Sequence, residues 1–206
     1  MPPLLTAPLI LASASPRRQE ILRLAGIEFE VEVSAAEAHL GRAASPRCQA
    51  EAGARAKAED VARRHPGRVV VGADTVVALG NRLLEKPRDE ADARRMLREL
   101  SGRRHEVFTV IVLAVGESGG VELLHEECAT SLVSFRRLAE AEIDAYVATG
   151  DPLDKAGAYG IQSGGGELVA EVWGSYLNVV GLPLARLRLA LSAIGWAGPS
   201  ERADED

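Results

Sequence analysis

Apolar and polar positions along the chain follow two different spacings. Unbroken apolar runs at residues 9–12 and 69–73 are typical of strands that are buried on both faces. Apolar residues three or four positions apart are typical of amphipathic helices, and they recur between the apolar runs. The predicted helices cover residues 16–25, 46–64, 93–100, 140–148 and 183–194.

Short glycine-containing turns predict how the strands are joined. Gly80-Asn81 lies between two apolar runs and predicts a two-residue hairpin of residues 74–79 and 82–87. Gly174-Ser175 predicts a second hairpin, of residues 167–173 and 176–180, and residues 105–115 and 121–135 read as two further strands. This mixture of hairpins and helical crossovers predicts an α/β fold with a mixed sheet and two lobes around a cleft.

Length and composition favour one α/β domain over residues 1–206, with a flexible leader at 1–8 and a flexible tail at 198–206. The net charge of −6 argues against a general nucleic-acid binder, although local cations suffice for a small anionic substrate.

No window of the sequence approaches transmembrane length, and the N-terminus lacks the basic region of a signal peptide, so we expect a cytoplasmic protein. Two cysteines without CxxC spacing and four histidines without HExxH pairing disfavour disulfides and a zinc centre.

Two arginines stand at a predicted helix start. Ser15 is a suitable N-cap and Pro16 a suitable first residue, so Arg17 and Arg18 fall in the first turn, where acidic residues are favoured. A cation there costs up to ~1 kcal/mol unless an anion lies beside it. The segment therefore predicts a phosphate site, and the alternative is two solvated surface arginines.

Asp74 follows the apolar run at 69–73 and needs a hydrogen bond, an ion pair or a metal. The alternative is a turn that closes the strand. The predicted hairpin places Thr75 opposite Lys86 and makes Asp74 and Glu85 diagonal neighbours. Carboxylates suit Mg²⁺ or Mn²⁺ and lysine suits a phosphate, so this strand end is a second candidate site.

Residues 150–166 are too rich in glycine for a regular element and too long for a plain connection. The segment contains four side chains that could hydrogen-bond to a nucleotide base or hold a phosphate: Asp154, Lys155, Tyr159 and Gln162. The alternative is a purely structural loop. Neither GxxxxGK[ST] nor GxGxxG occurs, which excludes the Walker-type and Rossmann-type phosphate loops.

Taken together, these segments resemble the Maf-like nucleoside triphosphate pyrophosphatases over roughly residues 9–195, in the family's order. The matching motifs are Ser13-Ala14-Ser15-Pro16-Arg17-Arg18, Gly72-Ala73-Asp74-Thr75, Glu85-Lys86-Pro87, Leu100-Ser101-Gly102, Asp154-Lys155-Ala156-Gly157-Ala158-Tyr159-Gly160-Ile161-Gln162 and Asn178-Val179-Val180-Gly181-Leu182-Pro183. The resemblance implies an elongated mixed sheet like that of inosine triphosphate pyrophosphatase and a homodimer. It also implies hydrolysis of a nucleoside triphosphate to the monophosphate and pyrophosphate with Mg²⁺ or Mn²⁺. It points to the subgroup that acts on dTTP and UTP, with roles in cleaning the nucleotide pool and arresting cell division.

The resemblance assigns roles residue by residue. The family's catalytic aspartate matches Asp74, which would also hold the metal. Its specificity positions match Arg17, Thr75 and Gln162. Its phosphate-handling residues match Ser13, Arg18, Lys57 and Lys86.

The chain departs from the family pattern after Val33-Ser34. The family has an acidic pair there whose second member helps to hold the metal, whereas this chain has Glu37 and then Ala38. Glu37 or Glu85 would then complete the metal site. The competing hypothesis is a nucleotide-responsive binding protein that regulates division without turnover. A single-stranded nucleic-acid module is disfavoured by the low aromatic content of 4%.

Overall fold

The computed structural model describes residues 5–36, 41 and 43–199. The strands within them are β1 (Leu9–Leu11), β2 (Phe29–Val31), β3 (Val69–Leu79), β4 (Arg82–Leu84), β5 (Arg104–Glu117), β6 (Gly120–Phe135) and β7 (Val169–Trp173). The helices are α1 (Pro16–Leu24), α2 (Pro46–Arg64), α3 (Glu90–Leu100), α4 (Glu140–Ala148), α5 (Tyr176–Val180) and α6 (Leu184–Ala193). The strands of this described part form one seven-stranded mixed sheet in the order β2-β1-β3-β5-β6-β7, with β4 also paired to β3.

The edges of β3 are paired in different ways. One edge is covered by β5 from Val69 to Ala78. On the other edge, β1 runs parallel to Val70 and Val71, and β4 runs antiparallel to β3 from Val77 onwards. Between these two partners, residues 72–76 have no strand beside them on that edge in the described part of the chain. The sheet is therefore open where Asp74 and Thr75 lie.

Three apolar clusters pack around this opening. On one face, α2 packs against Val70, Val76 and the centre of β5. On the other face, α1 and α6 cover Val69, Val71 and Ala73, while α3 and α4 cover Val77 with the ends of β5 and β6. Side chains alternate along a strand, so Thr75 lies on this second face between its two clusters. The two clusters form two lobes, which confirms the predicted α/β class with a mixed sheet and a cleft.

The predicted helix at residues 46–64 and the Gly80-Asn81 turn are confirmed, because α2 has those bounds and Leu79 pairs with Arg82. The predicted continuation of this hairpin is wrong. The pairing of β3 with β4 ends at Val77 opposite Leu84. Thr75 and Lys86 are therefore not cross-strand partners, and Asp74 and Glu85 are not diagonal cross-strand neighbours. The Glu85 carbonyl instead accepts a hydrogen bond from Gly157 N–H at 3.2 Å. Pro87, which has no N–H, cannot extend the pairing.

The second predicted hairpin is also wrong, because residues after Ser175 form α5 rather than a strand. The Ser175 side chain caps α5 by accepting a hydrogen bond from Asn178 N–H at 3.2 Å. The Asn178 side chain donates to the carbonyl of Val107 at 3.0 Å and to Ser131 Oγ at 2.9 Å. A capped helix start and a buried asparagine thus override the turn signal of Gly174-Ser175 that suggested a hairpin.

The described ends of the chain lie together. Trp196 Nε1 donates to the carbonyl of Ala7 at 3.1 Å, and the N–H groups of Ala197 and Gly198 donate to Leu5. The flexibility predicted for residues 1–8 and 198–206 stays a prediction. Among the helices described, none has the length and apolar character needed to cross a membrane.

Candidate active site

A cleft of about 410 Å³ lies at the open edge of β3, within the size range of small-molecule sites. It brings together residues that are far apart in the sequence, from the end of β1 to the segment after α5. The predicted site residues that line it are Ser13, Arg17, Arg18, Lys57, Asp74, Thr75, Lys86 and Gln162.

The start of α1 forms one side of the cleft. Ser15 is the N-cap and Pro16 the first residue, as predicted, and the first turn holds no acidic residue. Arg18 is buried and its guanidinium donates to three groups: the carbonyl of Gly181 at 2.9 Å, Ser13 Oγ at 2.8 Å and Thr75 Oγ1 at 3.1 Å. The alternative of two solvated arginines is therefore wrong for Arg18, which joins α1 to β3.

Lys57 and Asp74 form a buried ion pair that joins α2 to β3. Lys57 Nζ donates to Asp74 Oδ1 at 2.8 Å, and each residue is 8% exposed. The pair depends on the close approach of α2 to β3. A Cβ at Gly53 would lie only 2.5 Å from Asp74 Oδ2, so no other residue fits there without moving the carboxylate. The alternative in which Asp74 merely closes a strand is also wrong, because β3 continues to Leu79.

Thr75 is held from the opposite face of β3. Its Oγ1 lies 2.9 Å from Thr109 Oγ1, and the Thr109 hydroxyl donates to the carbonyl of Asn178 at 2.9 Å. Thr75 and Asp74 thus reach the cleft from two faces of one strand, because the neighbouring edge is open.

The loop of residues 150–166 forms the remaining wall. It consists of short 3₁₀ turns at Asp151–Asp154, Ala156–Ala158 and Gly164–Leu168. Gln162 is exposed at the rim of the cleft. The hydrogen bond from Lys155 lowers the pKa of Asp154, and the positive charge of Arg17 acts in the same direction. Arg17 is half-buried and lines the cleft, whereas the buried Arg18 bonds to Thr75 of the sheet.

The candidate metal ligands are less closely grouped. Glu37, like Ala38, lies outside the described residues. Glu85 is exposed and lines a neighbouring smaller cavity, whereas the adjacent Lys86 lines both cavities. Within residues 5–36, 41 and 43–199, no three histidine, cysteine, aspartate or glutamate side chains lie together in a way that could hold a metal ion.

Some residues around the site were missed by the sequence analysis. Thr109 and the carbonyl of Gly181 hold Thr75 and Arg18, and Tyr146, Asp151 and Ser163 form a network behind the loop. Thr109 lies in the middle of a buried strand, where a polar residue among apolar ones could have served as a signal. No sequence signal marks Tyr146, which reads as one more core residue of α4.

The chain as a whole also matches a known protein family. A model of the family described as "Maf-like protein" matches residues 8–194. The chain belongs to the Maf-like family. This membership confirms the resemblance that the sequence motifs indicated.

Several proteins similar to this Maf-like chain are named dTTP/UTP pyrophosphatase. The protein from Anaeromyxobacter dehalogenans is 49% identical over 94% of this chain and 97% of its own length. Those from Geotalea uraniireducens and Bacillus cytotoxicus are each 48% identical; they cover 91% and 86% of this chain and 95% and 91% of their own lengths.

Two solved structures are distant likenesses. One is the Staphylococcus aureus Ham1 protein, with a TM-score of 0.41 and 16% identity over 62% of this chain and 71% of its own. The other is a HAM1 protein from Coxiella burnetii, with a TM-score of 0.40 and 15% identity over 65% of this chain and 75% of its own. At these scores neither likeness bears on the fold or the function.

Proposed function

We propose that this Maf-like chain hydrolyses dTTP and UTP to the monophosphate and pyrophosphate. The observation that carries the proposal is the Lys57–Asp74 pair at the open edge of β3, in one cleft with Arg18 and Lys86. A carboxylate among several cations is the arrangement needed to activate water beside a triphosphate. The names of the similar proteins support the choice of dTTP and UTP.

The cationic side chains of the cleft are assigned to binding the triphosphate. Arg18, Lys57 and Lys86 line the cleft from three different elements or segments, and Arg17 stands at the helix start. Phosphoryl transfer depends mainly on positioning and on charge stabilisation of the phosphate oxygens. These residues, together with the Ser13 hydroxyl, would hold the phosphates and stabilise the departing pyrophosphate.

Asp74 is the proposed general base. Its carboxylate accepts a proton from the attacking water, and Lys57, bonded to Oδ1, fixes its orientation. Mg²⁺ commonly binds through one or two carboxylates plus substrate phosphates and waters. Asp74 would hold such an ion together with the triphosphate, and Glu37 or Glu85 is the proposed second carboxylate. The bound ion would neutralise charge on the triphosphate.

Base selection is assigned to Gln162, Thr75 and Arg17. A glutamine amide can both donate to and accept from the edge that uracil and thymine share. Thr75 is held by Arg18 and Thr109, so its hydroxyl has a fixed position in the cleft. Buried polar groups left without partners would disfavour other bases.

The test is pyrophosphate release from UTP, dTTP, CTP and GTP with Mg²⁺ or Mn²⁺. We expect release from UTP and dTTP, weak release from CTP and almost none from GTP. Binding of UTP without release under both metals would instead support the nucleotide-responsive binding protein. A kcat/KM for GTP above that for UTP would contradict the specificity assignment alone.

The homodimer, the cytoplasmic location and the roles in pool cleaning and division arrest are also part of this proposal. The dimer and the cellular roles rest on the family resemblance, and the cytoplasmic location rests on the sequence features given above. Light scattering after size-exclusion chromatography tests the dimer, and deletion of the coding sequence tests the cellular roles.

A further inference from the structure

The proposed reaction does not use a network of polar side chains that joins the loop of residues 150–166 to Tyr146 of α4. Its centre is the carboxylate of Asp151. Oδ2 accepts hydrogen bonds from the hydroxyls of Tyr146 and Ser163, each at 2.6 Å, and Oδ1 lies 3.0 Å from Lys155 Nζ. Burial raises the pKa of Asp151, but the hydrogen bonds from Ser163, Tyr146 and Lys155 outweigh it and lower the pKa below its ordinary value. Asp151 is therefore an ionised acceptor for three donors.

The Tyr146 hydroxyl connects this centre to the backbone of the loop. It accepts a hydrogen bond from Gly160 N–H at 3.0 Å while it donates to Asp151. Ser163 N–H donates to the carbonyl of Gly160 at 3.2 Å. Gln162 thus lies between two residues, Gly160 and Ser163, that are both tied to the Asp151 centre.

Lys155 also belongs to this network, although it lines the cleft. Its Nζ donates to the carbonyl of Asp151 at 2.7 Å and to Asp154 Oδ1 at 2.7 Å, in addition to its contact with Asp151 Oδ1. These two hydrogen bonds and the ion pair hold the ammonium group against the loop. Lys155 therefore stabilises the loop conformation.

The backbone of the loop is packed closely against the network. A Cβ at Gly160 would lie 2.6 Å from both Ser163 Oγ and Lys155 Cε, and one at Gly165 would lie 2.7 Å from the Tyr146 hydroxyl. Such contacts leave the loop little room to shift on its own. A change in the network is therefore transmitted to the residues between Gly160 and Gly165.

We propose that Asp151 and Tyr146 are positioning residues for base selection, which hold the loop so that Gln162 meets the pyrimidine edge. The inference rests on the proposed function, because that function assigns base selection to Gln162. It adds two residues that would not touch the nucleotide and would act through Gly160 and Ser163.

Two conservative variants test the proposal. Tyr146→Phe removes only the hydroxyl and leaves the ring in the core, and Asp151→Asn keeps the shape and removes the charge. Asp144→Asn is the matched control, because it makes the same change on α4 at a carboxylate that pairs with Arg94 at the surface. For each variant, kcat and KM are measured with UTP and CTP by pyrophosphate release, together with thermal unfolding.

We expect both test variants to lower the UTP-to-CTP ratio of kcat/KM by about tenfold, mainly through a higher KM for UTP. Asp144→Asn should keep the wild-type ratio. Adding Gln162→Ala to Tyr146→Phe should lower the ratio little further, since both changes remove the same contact.

A wild-type ratio in both variants overturns the inference. Equal loss with UTP and CTP, accompanied by a lower unfolding temperature, also overturns it and indicates a merely structural network. If the wild-type protein binds UTP but releases no pyrophosphate from it with either metal, the proposed function fails, and the ratio of the Kd values for UTP and CTP tests the inference instead. A wild-type protein that neither binds nor hydrolyses UTP overturns both.

Discussion

Two walls of the cleft, the Lys57–Asp74 pair and the loop of residues 150–166, are built in different ways. On the first wall, Lys57 and Asp74 project from a helix of 19 residues and a strand of 11 residues and bond directly to each other. On the second wall, Gln162 lies on a loop of 3₁₀ turns that is held by side-chain hydrogen bonds to Asp151. The proposed chemistry thus rests on regular backbone, and base selection rests on a loop whose conformation depends on a few polar contacts.

This difference predicts that the two walls can be changed independently. Substitutions on the first wall should reduce turnover for every nucleotide. Substitutions on the second wall should change which nucleotide is preferred and leave the proton transfer at Asp74 intact.

Among the single substitutions, Asp74→Asn is expected to have the largest effect on turnover. Asp74→Asn keeps an oxygen that can accept from Lys57, so the fold should remain, but the proposed base and metal ligand are lost. We expect kcat for UTP to fall by at least ~10²-fold. Pyrophosphate release and thermal unfolding measure the two effects. Wild-type turnover with an unchanged metal requirement would remove Asp74 from the mechanism.

The next effect concerns base choice on the second wall. Purine triphosphates should be rejected by several kcal/mol, roughly 10³-fold in kcat/KM, because they would leave polar groups of the site unpaired. Gln162→Ala should narrow the UTP-over-CTP preference more than it changes the Mg²⁺ concentration needed for half-maximal activity. Equal loss with UTP and CTP would contradict the assignment of Gln162.

Arg17 and Arg18 are neighbours in the first turn of α1, but only Arg18 is buried, and its guanidinium bonds within the protein. The helix-start argument by itself predicts that removing Arg18 leaves stability level or raises it. The three hydrogen bonds of its buried guanidinium predict the opposite, a loss of about 3 kcal/mol in the free energy of unfolding. Arg17→Ala should change that free energy by less than about 0.5 kcal/mol.

Both arginine variants should raise the KM for UTP. Urea unfolding and steady-state kinetics on the two proteins separate structural from substrate contacts. Equal stability of the two variants would contradict the role of Arg18 in joining α1 to β3.

A smaller effect on stability than that of Arg18→Ala is expected at His105, which contacts Tyr159 of the loop. Its Nε2 lies 2.8 Å from the Tyr159 hydroxyl, and burial lowers the pKa of His105 to about 4. Between that value and the ordinary one of about 6.5, the unfolded chain binds the proton and the folded chain does not, so stability falls as pH falls. This residue should account for a loss on the order of 2 kcal/mol between pH 7 and pH 5.

His105→Gln removes the titration and retains a polar group near Tyr159. Urea unfolding at the two pH values should show a smaller loss for this variant than for the wild-type protein. An identical loss in both proteins would mean that other groups cause the acid sensitivity.

The sequence by itself determined the elements that have regular spacing and the residues that belong to motifs. Local patterns predicted the bounds of α2, the Gly80-Asn81 turn and the N-cap position of α1. Local patterns and the family resemblance together identified eight site residues that line the cleft. Only the tertiary structure decided where the ladder of β3 and β4 ends, that residues 176–180 form a helix, and that Arg18 bonds within the protein. It also decided that Asp151, Tyr146 and Ser163 meet behind the loop. The physical reason is that periodicity and capping act over a few neighbouring residues, whereas these contacts join segments whose distance apart is set by the packed sheet.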